Sequence, residues 1–219
     1  QWELLRYLTY EGATDGKTLN SYWPNYRNLV NELIKKQLIR RKTVQVQRFH
    51  TDHAVFRNDR ELVLNTEQQQ ALDVILAKAD SPCAEEVLLH GVTGSGKTEV
   101  YLRTLRHVLD EGGGAMVLVP EIALTPQLLG LMAAYFGDQV AVLHSSLPAG
   151  ERYDQWKRIR SGDARVVVGT RSAVFAPCSC LGVIIIDEEQ EHSYRSENNP
   201  RYDAREVALW RGWKENCLV

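Results

Sequence analysis

Residues Gly91-Val92-Thr93-Gly94-Ser95-Gly96-Lys97-Thr98 match the spacing GxxxxGK[ST], directly after an apolar segment and directly before a run of helical periodicity. The glycines let the backbone curl, so that its N–H groups and the N-terminus of the following helix converge on one point suited to phosphate oxygens. Gly91, Thr93, Gly94, Ser95 and Gly96 form the cradle. Lys97 is placed to meet β and γ oxygens, and the Thr98 hydroxyl to take a position around Mg2+. A strand before the loop and a helix after it restrict the chain to an α/β fold.

The pattern beyond residue 62 agrees. Strands apolar on both faces are expected at residues 86–90, 115–119, 140–144, 165–169, 183–187 and 217–219. Helices are expected at 98–109, 125–136, 148–160 and 204–213, giving a parallel sheet covered on two sides. The run Val183-Ile184-Ile185-Ile186-Asp187-Glu188 ends a buried strand in two carboxylates, at the edge where a phosphate loop opens. Asp187 is assigned to Mg2+, directly or through water, and Glu188 to polarising the attacking water, because phosphoryl hydrolysis is mostly positioning and charge neutralisation.

Three further stretches have two readings each. Thr66 reads as a helix cap with Ala71, Leu72 and Ile75 as the buried face, or else Gln68 in the same stretch matches N6 and N7 of adenine. Residues 120–127 and 169–173 bring Thr125 and Ser172 to strand ends, either as ordinary caps or as backbone-led sites for nucleic-acid phosphates.

The first 60 residues differ in charge from the rest, with eleven Lys and Arg against six Asp and Glu, leaving fifteen against twenty-two beyond. Helices at residues 2–10 and 18–23, then a third with Pro24 in its first turn and Tyr26, Leu29, Val30, Leu33 and Ile34 on one face, lead to an alternating strand at 42–49. This is the order of a winged helix (1–49), followed by a polar linker (50–61). Arg27, Lys35, Lys36, Arg40, Arg41 and Lys42 are placed to neutralise DNA phosphates, or the module serves protein contacts alone.

Composition excludes other classes. With 44% apolar and 25% charged residues the 219-residue chain is neither disordered nor collagen-like, and its longest strongly apolar run is far below the roughly 20 residues of a membrane span. No leader is visible at Gln1, which points to the cytosol. Four cysteines form no CxxC pair and suit reduced thiols, while His50 and His53 lack partners for a zinc set.

Several stretches together resemble the superfamily 2 helicases, and within them the PriA family: LNTEQQQAL (64–72), LLHGVTGSGKTEVYL (88–102), LVPEIALTPQ (118–127), LHSSL (143–147), GTRSAVFAP (169–177), GVIIIDEE (182–189) and PRYDAREVA (200–208). The resemblance implies a RecA-like motor lobe at residues 62–219 behind a winged helix, and a 3'-to-5' DNA helicase of replication restart that uses ATP and Mg2+. It implies forked and single-stranded DNA as ligands, with single-strand-binding protein and primosome proteins as partners. It makes Gln68 the adenine-sensing glutamine, and residues 193–202 an aromatic-rich loop in which Tyr194, Arg195, Arg201 and Tyr202 meet DNA alongside Arg171. Gln190 stands where the family has the histidine of DEEH, and Asp203 replaces the histidine of RYHAR; a glutamine can still donate a hydrogen bond toward the γ-phosphate region or the neighbouring lobe, so altered coupling with intact nucleotide binding is expected. The resemblance also implies a second lobe with a zinc insertion and an N-terminal domain that binds DNA 3' ends. Without these, the chain is expected to bind nucleotide but hydrolyse it slowly and not unwind DNA. Two alternatives stand beside this reading: a DNA translocase of the same superfamily, and a nucleotide-gated winged-helix regulator.

Overall fold

The computed structural model describes residues 2–14, 16–41, 63–92 and 94–219; the expected strand 42–49, the linker 50–61 and Thr93 lie outside them. The chain divides into two compact units, Gln1–Val46 and Gln47–Val219.

In the first unit, α1 (Trp2–Glu11), α2 (Gly16–Tyr22) and α3 (Tyr26–Lys35) enclose Leu4, Leu19, Val30 and Leu33. Tyr7 packs edge-on against Trp23, with ring centroids 5.3 Å apart. Trp2 lies about 200° round the helix from buried Leu4, and it faces outward, 82% exposed. One expectation is corrected. Pro24 sits in a turn closed by Tyr26 N–H donating to the Trp23 carbonyl (2.9 Å), so α3 begins two residues later than expected.

The second unit contains α4 (Thr66–Ala79), α5 (Lys97–Asp110), β1 (Gly114–Leu118), α6 (Pro126–Phe136), β2 (Val140–Leu143), α7 (Ala149–Ser161), β3 (Val166–Gly169), β4 (Leu181–Ile186) and α8 (Ala204–Glu215). The strands form one parallel sheet in the order β2-β3-β1-β4. Strand alternation sends Ala115, Val117, Val142, Val166 and Val168 into one core with Leu72 of α4, Leu105 of α5 and Met132 of α6. Met116, Leu118, Ala141, Leu143, Val167 and Ile184 enter a second core with Ile159 of α7 and Ala204 and Ala208 of α8. Burial on both faces is why these strands read as continuous apolar runs.

The expected strands 86–90 and 217–219 form no ladder. Leu218 makes single parallel bridges to Val183 and to Glu85, and Val87 N–H donates to the Val219 carbonyl (2.9 Å). Val87 and Leu89 pack on the first core while Glu86, Leu88 and His90 face out, Leu88 with 76% of its surface exposed. The segment is therefore buried on one face, not two. None of the described helices is long and apolar enough to cross a membrane. Cys178 and Cys217 are buried, and that burial pushes both thiols up to about 11.

The tightest approach in the sheet is at Gly169, where an added Cβ would overlap the Leu143 carbonyl oxygen. Because backbone cannot swing aside as a side chain does, Gly169→Ala is expected to destabilise the chain by about 2–3 kcal/mol. Urea unfolding monitored by circular dichroism checks this: a midpoint equal to wild type would contradict it.

Candidate functional site

Parallel strands open their carboxyl ends on one edge, and the candidate residues gather there. The segment before residue 91 runs parallel to Leu218 and hence to β4, so the glycine-rich loop emerges at the same edge as Asp187. Gly94 (φ +81°) and Gly96 (φ +84°) adopt left-handed backbone, which a side chain disfavours, and Gly96 caps α5. Lys97 arches back over the loop, its Nζ donating to the carbonyls of Gly91 (2.7 Å) and Val92 (3.2 Å).

Gln68 is joined to this loop. Asn65, not Thr66, caps α4: its side chain accepts from Gln68 N–H (2.8 Å) while Gln68 Oε1 accepts from Asn65 N–H (2.9 Å). A short carboxamide reaches the third amide as well as a hydroxyl would, and the neighbouring Thr66 thereby becomes the first helical residue. Gln68 Nε2 donates to the Ser95 carbonyl (2.9 Å), so the glutamine ties α4 to the loop.

At the end of β4, Asp187 N–H donates to the Leu118 carbonyl (2.9 Å), which extends the ladder to the first carboxylate. Burial raises the Asp187 carboxyl above the usual carboxylate range and the Glu188 charge adds to this, while the Glu188 N–H (3.1 Å) and Lys97 oppose it. Tyr101, on the second turn of α5, is pushed up to about 12 by burial; its hydroxyl is hydrogen-bonded with Thr98 and feels the Asp187 charge. Lys97, Thr98 and Asp187 are thus brought together from two separate motifs. Glu188 has φ +50°, an uncommon conformation for a residue with a side chain and a local store of strain. Its Oε2 accepts from Gln190 Nε2 (2.6 Å), so the glutamine at the expected histidine position touches the second carboxylate.

The candidate DNA residues divide. Thr125 caps α6, its hydroxyl accepting from Leu128 N–H (3.2 Å), and is exposed together with Ser172, Arg195 and Arg201. Tyr202 packs edge-on against Phe175, at 4.9 Å. Arg171 donates to the carbonyls of Ser193 (3.2 Å) and Arg195 and so pins the 193–202 loop. Tyr194 is a correction: it is fully buried, its hydroxyl directed at the carbonyls of Asp187 (2.6 Å) and Leu118 (3.0 Å). A ring with no exposed face stacks on no base; it braces the acidic turn instead. In the first unit Lys35 and Arg41 are exposed, Arg41 donating to Asn31 Oδ1 (3.3 Å).

Asp203 has a role the sequence reading did not supply. It caps α8 through Arg205 N–H (3.0 Å), pairs with the Arg205 guanidinium (2.6 and 2.9 Å) and accepts from Arg195 Nε (3.1 Å). Arg205 also donates to the Glu189 carbonyl (2.8 Å), so the clamp reaches the acidic turn. The only advance signal is an acid directly before a helix and two residues from an arginine.

A family profile described as DEAD/DEAH box helicase matches residues 65–208. The chain belongs to the DEAD/DEAH box helicases. Within this helicase family it is PriA-like: it is 47% identical over 190 residues to the replication restart protein PriA of Bacillus subtilis, covering 87% of this chain and 24% of that one. The PriA of Haemophilus influenzae is 35% identical across 100% of this chain and 30% of its own length. The chain therefore spans 24% and 30% of the length of these two relatives. A structure of RecG bound to a three-way DNA junction shares the helicase-lobe fold, with TM-score 0.52 and 21% identity over 87% of this chain and 25% of that one.

Two outcomes follow. Tyr194→Phe, which removes the hydroxyl donor from the part-buried Asp187 carbonyl, is expected to cost about 1–2 kcal/mol while leaving DNA affinity at the wild-type value; fluorescence anisotropy showing weakened DNA binding would restore Tyr194 as a contact. For Asp203, hydrogen bonding from Arg205 leads in holding the carboxyl well below its usual range. A depressed carboxylate contributes stability that is complete above its unfolded pKa, near 4, and fades as pH falls toward the native value. Asp203→Asn is accordingly expected to lower stability by about 2 kcal/mol at pH 7. The gap should narrow below pH 4, and thermal melts across that range measure it.

Proposed function

We propose that the chain is the nucleotide-binding motor lobe of an ATP-dependent DNA helicase. The observation that carries the proposal is the convergence of Lys97 and Thr98 from the glycine-rich loop with Asp187 from the end of β4. The donor set fits the ligand: left-handed glycines leave a curl of backbone amides, a cation stands beside them, and a hydroxyl and a carboxylate suited to Mg2+ lie opposite. Held by these residues, Mg2+ would supply charge neutralisation for the phosphates of the nucleotide.

Each residue then has a distinct task. Gly91, Thr93, Gly94, Ser95 and Gly96 offer amides to the phosphates, and Lys97 exchanges its loop carbonyls for phosphate oxygens. Thr98 and Asp187 hold the ion. Glu188 accepts a hydrogen bond from the attacking water and orients it, and Gln190 sets the direction of that carboxylate. Gln68 reaches the adenine edge by exchanging its contacts with Asn65 and Ser95.

DNA is proposed to meet Thr125, Arg171, Ser172, Arg195, Arg201 and Tyr202 on this lobe, and Lys35 and Arg41 on a winged helix at residues 1–49 joined through 50–61. The PriA relatives are named for replication restart. By likeness to them, the proposed setting is the bacterial cytoplasm and 3'-to-5' unwinding at stalled or abandoned forks, with single-strand-binding protein and primosome proteins as partners. Strand separation is proposed to require a second lobe closing on the nucleotide, the lobe that carries the family's zinc insertion.

Calorimetry with Mg-ADP tests the reading. The wild-type chain should take up one nucleotide and Lys97→Ala none; an absence of uptake by the wild type would sink it. Glu188→Gln should retain uptake but lose at least about a hundredfold of DNA-stimulated turnover, measured on a chain that includes the second lobe.

A further inference from the structure

The outer face of α7 carries a pattern that the nucleotide chemistry leaves unused. Arg152, Tyr153, Trp156, Lys157 and Arg160 are all exposed, at positions i, i+1, i+4, i+5 and i+8, and so form one stripe along the helix. Asp154, Gln155 and Ile159 point the other way and are buried. Arg158 belongs to the inner side: it donates to the carbonyls of Val140 (3.3 Å) and Asp138 and to Gln155 Oε1 (3.0 Å). The fold thus uses Arg158 to fasten this helix to the sheet, while Arg152, Lys157 and Arg160 are exposed on its outer face.

The rings and the background charge mark the stripe further. Tyr153 is 65% exposed and Trp156 38%, two large aromatic groups presented to water. Residues 61–219 hold fifteen basic against twenty-two acidic side chains, so three outward cations on one helix run against the sign of their surroundings. Apart from buried Asp154, the helix holds one acid, Glu151.

We propose that this face of α7 binds a single strand of nucleic acid, with phosphates on Arg152, Lys157 and Arg160 and bases against Tyr153 and Trp156. Interleaved cations and aromatic rings suit a single strand, because the cations follow the backbone while every base offers a face for stacking. A duplex keeps its bases stacked inside and would use the cations alone. The site is carried by a different element from Thr125, Arg171 and Ser172. It shares with the proposed function only the assumption that DNA is the ligand.

The test is binding of a fluorescein-labelled oligodeoxythymidine to the full chain, followed by anisotropy across a salt series without nucleotide. Arg152→Ala/Arg160→Ala is expected to flatten the slope of log K against log salt by about 1.4, the value for two single-strand phosphate contacts. Tyr153→Leu is expected to weaken binding roughly tenfold, while Tyr153→Phe, which keeps the ring, stays at wild type. All three replaced side chains are exposed, so thermal melts should be unchanged. An unaltered slope in the double variant, equal affinities for Tyr153→Leu and Tyr153→Phe, or duplex competing as well as single strand would each overturn the proposal, the first leaving the stripe as a protein-docking face. Mg-ADP uptake by the same variants should equal wild type, which separates failure of this site from failure of the phosphate loop.

Discussion

Parallel pairing is the constraint on which the rest depends. A parallel strand cannot be reached by a tight turn, so every connection crosses over a face of the sheet and every strand delivers its carboxyl end to one edge. With β1 central and buried on both sides, Asp187 is held at that edge by the same ladder that builds the core, through its N–H bond to Leu118. The acidic turn is therefore as well placed as the sheet itself. The glycine-rich loop arrives at this edge under a looser hold, since the segment before it packs on the core but is hydrogen-bonded through residues 85 and 87 to the 218–219 segment and not to a strand of the sheet.

That difference in anchoring gives the site a rigid side and a softer side. Tyr194 braces the Asp187 carbonyl, Arg205 the Glu189 carbonyl and Gln190 the Glu188 carboxylate. Together they over-determine a turn whose central residue sits in strained backbone. The loop is steadied instead by Gln68 and by its own lysine.

Much of this was legible in the residues. The octapeptide at 91–98 and the apolar run into Asp187 each carry a local pattern with one structural meaning, and β1, β3 and β4 follow from continuous hydrophobicity. The segment 86–90 misled because apolar content alone does not say how many faces are covered: Leu88 is as apolar as Leu89, and only the neighbouring elements decide which is buried. Tyr194 misled for the related reason that an aromatic ring among polar neighbours reads as an exposed platform, whereas its hydroxyl serves the Asp187 carbonyl and lies beside the Leu118 carbonyl 76 residues away in the chain. The Asn65 cap depends on which of two adjacent polar residues the helix geometry selects, and propensity does not settle that, while the Asp203 clamp depends on arginines that the fold brings to it.

The Asp203 clamp also bears on how such a chain diverges. One carboxylate serves a helix terminus, an arginine that touches the acidic turn and another on a loop proposed to meet DNA. Replacing it by histidine would take the carboxylate from two guanidinium groups at once, so the three positions are physically coupled. Swapping this stretch between cousins would succeed only as a block.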